Sequence, residues 1–156
     1  MKEQFGSLYS IRQLYEEGFK SIPKTIGIYM VVKPKDKPIT FSANTTAIIE
    51  YDGCNLLYNA DSLQTKFENS DKEILYVGKA GGRNNRLRQR IKQFVKYGYK
   101  EVNNHRGGRA IWQIESNEDL FIRYLECDNP EEKEKEILLA YINKYGILPV
   151  ANWKIG

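Results

Sequence analysis

Residues 73–96, EILYVGKAGGRNNRLRQRIKQFVK, decide the fold. Glu73 to Gly78 is a short apolar run rich in strand formers, and it reads as a β-strand. Gly81-Gly82-Arg83-Asn84-Asn85 carries turn chemistry. From Arg86 to Lys96, the apolar residues Leu87, Ile91 and Phe94 recur at helical spacing, which predicts a helix. Upstream, Thr25 to Val32 (TIGIYMVV) reads as a second strand, broken by Pro34. Ser10-x-x-Gln13 has the spacing of a capping box, which predicts a helix from Ile11 to Glu17 stopping at Gly18. Thr45 to Tyr58 predicts two strands around the Asp52-Gly53 turn. The polar stretch from Asn59 to Lys72 reads as loop with room for a short helix.

Downstream, Tyr97 to Asn104 reads as loop, and Ala110 to Ile114 and Leu120 to Leu125 as strands. Asn129-Pro130-Glu131-Glu132 opens a last helix with a cap residue, Pro at its first position and acids in its first turn. Leu138, Tyr141, Ile142 and Tyr145 are among its apolar positions; Gly146 ends it and Pro149 follows. The pattern predicts a single α+β domain over residues 1–156, a small, mostly antiparallel sheet flanked by helices.

The chain has 156 residues, enough to bury one core without disulfide staples. Hydrophobic residues at 41% and charged residues at 28% exclude a disordered chain. No apolar run approaches the roughly 18–20 residues that span a bilayer, and Met1 to Phe5 lacks the apolar stretch of a signal peptide. Cys54 and Cys127 are isolated, which excludes a cysteine-based zinc site and points to a reducing compartment. A cytoplasmic protein with no membrane partner is expected. The lone histidine, His105, excludes a two-histidine metal site.

The net charge of +4 is unevenly spread. Val77 to Ala110 holds ten basic residues and a single acid, Glu101, whereas the remainder holds fourteen basic and nineteen acidic residues. A basic block on an otherwise acidic chain points to a polyanionic partner, because Lys and Arg contacts to phosphates release counterions. A solvated helix face would show interspersed acids, and this block lacks them.

Three features go beyond plain packing. Tyr29 and Tyr76 lie in two short strands, each near a glycine: Gly27-Ile28-Tyr29 and Tyr76-Val77-Gly78. Glycine inside a strand often marks close approach of a backbone or a ligand, although aromatic core packing is the plainer alternative. Arg90 lies on the flank of the Leu87, Ile91, Phe94 stripe, about 60° from its centre, so it is partly desolvated and needs an anionic partner, unless its head snorkels to water. Glu134 shares the face of Leu138, Tyr141 and Ile142, while Glu136 points the other way. A carboxylate on an inward face needs a cation or a metal, unless it stays wet in the helix's first turns.

These residues resemble the GIY-YIG nuclease family. Gly27-Ile28-Tyr29 and Tyr76-Val77-Gly78 stand in the order of the two name motifs, the second continuing as Lys79-Ala80. Leu87-x-x-Arg90-Ile91-x-x-Phe94 is similar to the family's arginine helix, Glu134-x-x-Ile137-Leu138 to its metal-binding glutamate, and Pro149-Val150-Ala151-Asn152 to its closing Pro-x-x-Asn. The resemblance spans about residues 23–154. It leaves residues 1–22 as an N-terminal helical extension and residues 33–72 as an insertion longer than the family's usual hairpin. Many members have His or Tyr where this chain has Phe94, a side chain with no proton to move. His105, followed by Arg106-Gly107-Gly108, stands as a candidate substitute, and the Gly-Gly step as a candidate phosphate nest.

The resemblance implies metal-assisted phosphodiester hydrolysis of nucleic acid, with DNA the expected partner. Tyr29 is implied to activate the water, its pKa tuned down by Lys79 and Arg90, with Tyr76 orienting the attack. Arg90 is implied to stabilise phosphate charge and Glu134 to hold one Mg²⁺ (or Mn²⁺). Gly78, Lys79 and Asn152 are implied to contact the nucleic acid. Ungapped spacing would choose Arg86 in place of Arg90. The alternative is a nucleic-acid-binding module on the same fold without catalysis, favoured by Phe94. Nucleotide binding by Gly78-Lys79-Ala80-Gly81-Gly82 fails on spacing, because no hydroxyl follows the lysine of a P-loop.

Overall fold

Six consecutive residues, Gly27–Val32, form a strand that is buried along its whole length. A strand hidden on both faces needs covering layers on both sides, and the architecture follows from that. The computed structural model describes residues 5–48, 50–51, 53–70, 73–102 and 107–155. In chain order the elements are β1 (Tyr9–Ser10), α1 (Ile11–Glu17), β2 (Gly27–Val32), β3 (Glu50–Tyr51), β4 (Cys54–Asn55), α2 (Ala60–Glu68), β5 (Ile74–Ala80), α3 (Leu87–Gly98), β6 (Phe121–Glu126) and α4 (Pro130–Tyr145). The main sheet is antiparallel throughout, in the order β1-β6-β2-β5, so β2 is central and β5 is an edge. The protein is thus α+β, a four-stranded antiparallel sheet with four helices.

The pleat of β2 sorts its side chains between two cores. Tyr29 and Val31 join Ile11, Leu14, Leu87, Ile91 and Phe94 from α1 and α3. Ile28, Met30 and Val32 join Ile137, Leu138 and Tyr141 from α4. Local chemistry fixes the helix ends. Ser10 Oγ accepts from Gln13 N at 3.0 Å, and Gly18 ends α1 with φ +69°. Gly146 ends α4 with φ +75°, its N–H donating to Ile142 O at 2.7 Å.

The structure departs from the sequence expectation in three places. Ala110 to Ile114, expected as a strand, is mostly a 3₁₀ segment over Arg109–Gln113, and Ile114 alone bridges to Phe41. Ala110, Ile111, Trp112 and Gln113 are all buried, so the segment has no wet face and no period to read. The hairpin expected over Thr45 to Tyr58 shrinks to β3 and β4, two residues each. Its flanks bond to the 3₁₀ segment instead: Thr46 N donates to Trp112 O at 3.3 Å, and Tyr58 N to Gln113 Oε1 at 2.9 Å. The helix expected to stop at Lys96 runs on to Gly98, because Tyr97 and Gly98 are buried there.

Residues 33–72 are not a surface appendage. Ile39, Phe41, Ala47, Leu63 and Phe67 belong to the same core cluster as Tyr29 and Phe94. Part of the basic block is structural as well: Arg88 Nε donates to Ile22 O at 2.7 Å, fastening α3 to the segment after α1. No helix among the described residues is long and apolar enough to cross a membrane. Cys54 and Cys127 are both free.

Gly98 tests the packing. A Cβ at this position would stand 2.4–2.5 Å from the Trp112 ring. Ordinarily Gly→Ala in a helix gains up to about 1 kcal/mol. Here overpacking outweighs propensity, and Gly98→Ala is expected to cost about 1–3 kcal/mol, read as a lower urea midpoint.

Candidate functional site

The β2–β5 register places Tyr29 opposite Gly78 and Val31 opposite Tyr76. Cross-strand partners share a face, so both phenols stand on the α3 side, one diagonal step apart. Their ring centroids are 6.0 Å apart at 61°. Tyr29 leans across the bare Cα of Gly78: a Cβ there would lie 2.6 Å from its Cζ and 2.8 Å from its Oη. The glycine of the second motif is therefore a clearance for Tyr29, and this explains its place in a strand interior. Phe94 closes the group from α3, 6.0 Å from the Tyr29 ring and stacked on Tyr76 at 5.7 Å and 11°.

Tyr29 is 0% exposed, and its hydroxyl has no hydrogen-bond partner among the described residues. The Tyr76 phenol is close enough to act on it without meeting hydrogen-bonding geometry. Arg90, half-buried on α3, makes one long hydrogen bond, Nη1 to Gln93 Oε1 at 3.4 Å, and its charge is felt at Tyr29, Tyr76 and Glu134. Arg86 instead precedes α3, exposed, with Nε on Arg83 O at 3.4 Å. Glu134 lies on the buried stripe of α4 and is 7% exposed, while Glu136 faces outward and pairs with Lys133 at 3.8 Å. Tyr29, Tyr76, Arg90 and Glu134 thus lie together, whereas Arg86 and Glu136 are exposed and make their contacts elsewhere.

The electrostatics run opposite to the sequence expectation at Tyr29. Burial, helped by Tyr76, pushes its phenol well above the usual tyrosine value, and the Arg90 guanidinium does not offset it. Tyr76 is pushed up to about 12 by burial and by the Glu134 carboxylate, against Arg90. Desolvation wins because both phenols are buried almost completely, and it outweighs the single favourable charge of Arg90. Glu134 is itself raised by burial and Glu131, with Lys79 and Arg90 holding it down.

The remaining expected residues take other parts. Lys79 Nζ sits 3.9 Å from Glu131 Oε1 and 4.0 Å from Glu134 Oε1, a counter-charge to the buried carboxylate. Asn152 has both amide functions bound to the Val77 backbone: Val77 N donates to its Oδ1 at 2.9 Å, and its Nδ2 donates to Val77 O at 3.0 Å. Ala151 N donates to Leu75 O at 3.0 Å. Asn152 therefore pairs with the free edge of β5 and holds the C-terminal segment there, rather than reaching toward a phosphate as expected. His105 lies outside the described residues. Gly108 follows it with φ +72°, and a Cβ there would be 2.8 Å from Phe94 and 3.2 Å from Tyr76.

An open cleft of about 310 Å³ borders the group, lined among others by Tyr76, Glu134, Gly107, Gly108, Asn152 and Trp153. Sequence reading missed the surroundings of Trp153, which lines it. There Lys66 Nζ donates to Asn152 O at 2.6 Å and stands 3.6 Å over the Trp153 ring, and the Tyr58 and Trp153 centroids are 4.9 Å apart. Trp153, directly after the Pro-x-x-Asn, was the available signal. Lys66 and Tyr58 come from the insertion and carried none.

Among the described residues no three His, Cys, Asp or Glu gather in a metal-holding cluster. One buried carboxylate near a free phenol hydroxyl does suit Mg²⁺, which takes one or two carboxylates and keeps waters and phosphate oxygens. It does not suit a zinc cage. No family model, no curated protein and no solved structure matches the chain.

Gly78→Ala is expected to cost about 1–3 kcal/mol by overpacking against Tyr29. Combined with Tyr29→Ala, the cost should fall below the sum of the two single changes, because the clash is removed. Additive costs in a urea double-mutant cycle would contradict this reading of Gly78.

Proposed function

We propose that the protein is a divalent-metal-dependent endonuclease of the GIY-YIG type, hydrolysing phosphodiester bonds of nucleic acid, with DNA the expected substrate. The observation that carries this reading is the fully buried Tyr29 hydroxyl, unpartnered and within the field of both Arg90 and Glu134. A buried hydroxyl without a partner is costly in a protein whose only task is to fold. It is accounted for if a water and a phosphate belong beside it. The basic block from Val77 to Ala110 supplies the attraction for a polyanion.

On this reading the Arg90 fork binds non-bridging phosphate oxygens and stabilises the charge that grows there. Tyr29 Oη, as phenolate, takes a proton from the attacking water. The water oxygen bonds to phosphorus, the P–O bond to the leaving strand breaks, and that oxygen is protonated from solvent. Tyr76 orients the water beside Tyr29. Glu134 would hold Mg²⁺, or Mn²⁺, which supplies Lewis-acid stabilisation of the leaving oxygen when bound. Lys79 keeps Glu134 ionised and approachable. Phe94 supports a second reading, a nucleic-acid-binding module without catalysis, since an apolar ring packs between the phenols and α3.

Plasmid DNA with Mg²⁺ separates the two. Cleavage is expected, lowered at least ~10²-fold in Glu134→Ala and Arg90→Ala. Salt-sensitive binding without cleavage in the unmodified protein would establish the second reading.

The pH profile follows from the shifts. Tyr29 is protonated at neutral pH, so the cleavage rate should climb from about pH 6 to about pH 9 rather than peak near neutrality. Glu134 is raised, so metal-dependent activity should be lost on acidification above the usual carboxylate range. A flat initial-rate profile would remove Tyr29 as the base.

A further inference from the structure

We infer that Trp153 and Tyr58, flanked by Lys66, Arg109 and Lys154, form a subsite for an unpaired nucleotide next to the phosphate held by Arg90, so that the preferred substrate has a single-stranded segment. This rests on the nuclease reading and deepens it by naming a substrate class.

Trp153 is 52% exposed, one of only three large hydrophobic side chains so exposed among the described residues. Yet it is firmly held. The Lys66 ammonium sits 3.6 Å from its ring centroid, fixed by its hydrogen bond to Asn152 O. The Tyr58 ring packs 4.9 Å away at 30°. Tyr58 is held in turn by Arg109, whose Nη2 donates to its hydroxyl at 3.2 Å and whose guanidinium carbon lies 5.4 Å over its ring. The result is an aromatic ledge with a cation over each ring, Lys66 on Trp153 and Arg109 on Tyr58, while Trp153 keeps half of its surface exposed. Trp153 and the exposed Lys154 line the same cleft as Glu134 and Tyr76.

The chemistry selects the occupant. A held aromatic ring with cations beside it offers base stacking and phosphate contact, the pairing that binds single strands. A base inside a duplex has its faces covered by its neighbours and cannot use the ledge. The cleft, about 310 Å³, is at the small end of ligand sites at roughly 300–1,000 Å³, a size that suits a single nucleotide. Burial also draws Lys66 down to about 8, a shift that an adjacent phosphate would reverse.

Tryptophan fluorescence tests this directly, because the chain has two tryptophans and Trp112 is only 1% exposed. In EDTA, a twelve-residue oligothymidylate should quench the emission of the full chain, and Trp153→Ala should abolish the quenching. Measured by anisotropy, Trp153→Ala should weaken oligothymidylate binding at least about fivefold, the scale of one lost base stack, with duplex binding changed less than about twofold. Trp153→Phe should recover most of the loss. No quenching, or an equal loss for single strand and duplex, would overturn the subsite. With Mg²⁺, intact duplex cleavage in a protein whose oligothymidylate binding ignores Trp153 sinks the subsite alone. Trp153-dependent oligothymidylate binding without any Glu134-dependent cleavage sinks the nuclease reading and leaves the subsite standing.

Discussion

One close approach organises the molecule: the Tyr29 ring crossing the backbone at Gly78. It can form only in the register that sets these two residues opposite each other on β2 and β5. A slip of one residue would put Tyr76 on the face opposite Tyr29 and set a Cβ under the Tyr29 ring. In the register observed, Tyr76 falls one diagonal step away and Phe94 seals the pair from α3. The sheet, the aromatic cluster and the desolvation of both phenols therefore share one steric origin.

The second constraint is the edge of β5. Antiparallel edges invite further pairing, and this one is closed by the chain's own C-terminal segment. Ala151 and Asn152 take up groups at Leu75 and Val77 that an added strand would otherwise claim. That closure sets Trp153 beside the cleft and gives Lys66 a carbonyl to bind. Asn152 thus connects the core sheet to the outer wall of the site, and it does so while remaining buried.

Much of this was legible. Capping residues and glycine stops marked α1 and α4 closely, since Ser10, Gly18, Asn129-Pro130 and Gly146 act through local geometry. That Arg90 and Glu134 lie near the phenols was legible because Arg90 flanks one apolar helical stripe and Glu134 shares the face of another. The segment at Ala110 to Ile114 was not, because a stretch buried on every side has no period to separate strand from 3₁₀ helix. The Tyr29 shift was misread for a related reason. Sequence shows which charges are near, here Arg90, but desolvation depends on packing that only the folded chain reveals. Lys66 and Tyr58 reach Trp153 through tertiary folding, and no local pattern announces it.

The charges around the cleft close the argument. Glu134 is the single carboxylate buried at the site, and Lys79 and Arg90 both act to keep it ionised. Lys66 and Arg109 add positive charge beside Trp153 and Tyr58. On the nuclease reading such a site would hold a divalent cation weakly on its own, because one carboxylate already shared with an ammonium contributes little net attraction. A phosphate changes the balance. It neutralises the arginine and lysines and offers oxygens to a cation on Glu134. On the nuclease reading, metal and substrate therefore bind with positive coupling, and the excess of cations is the part of the site that the substrate completes.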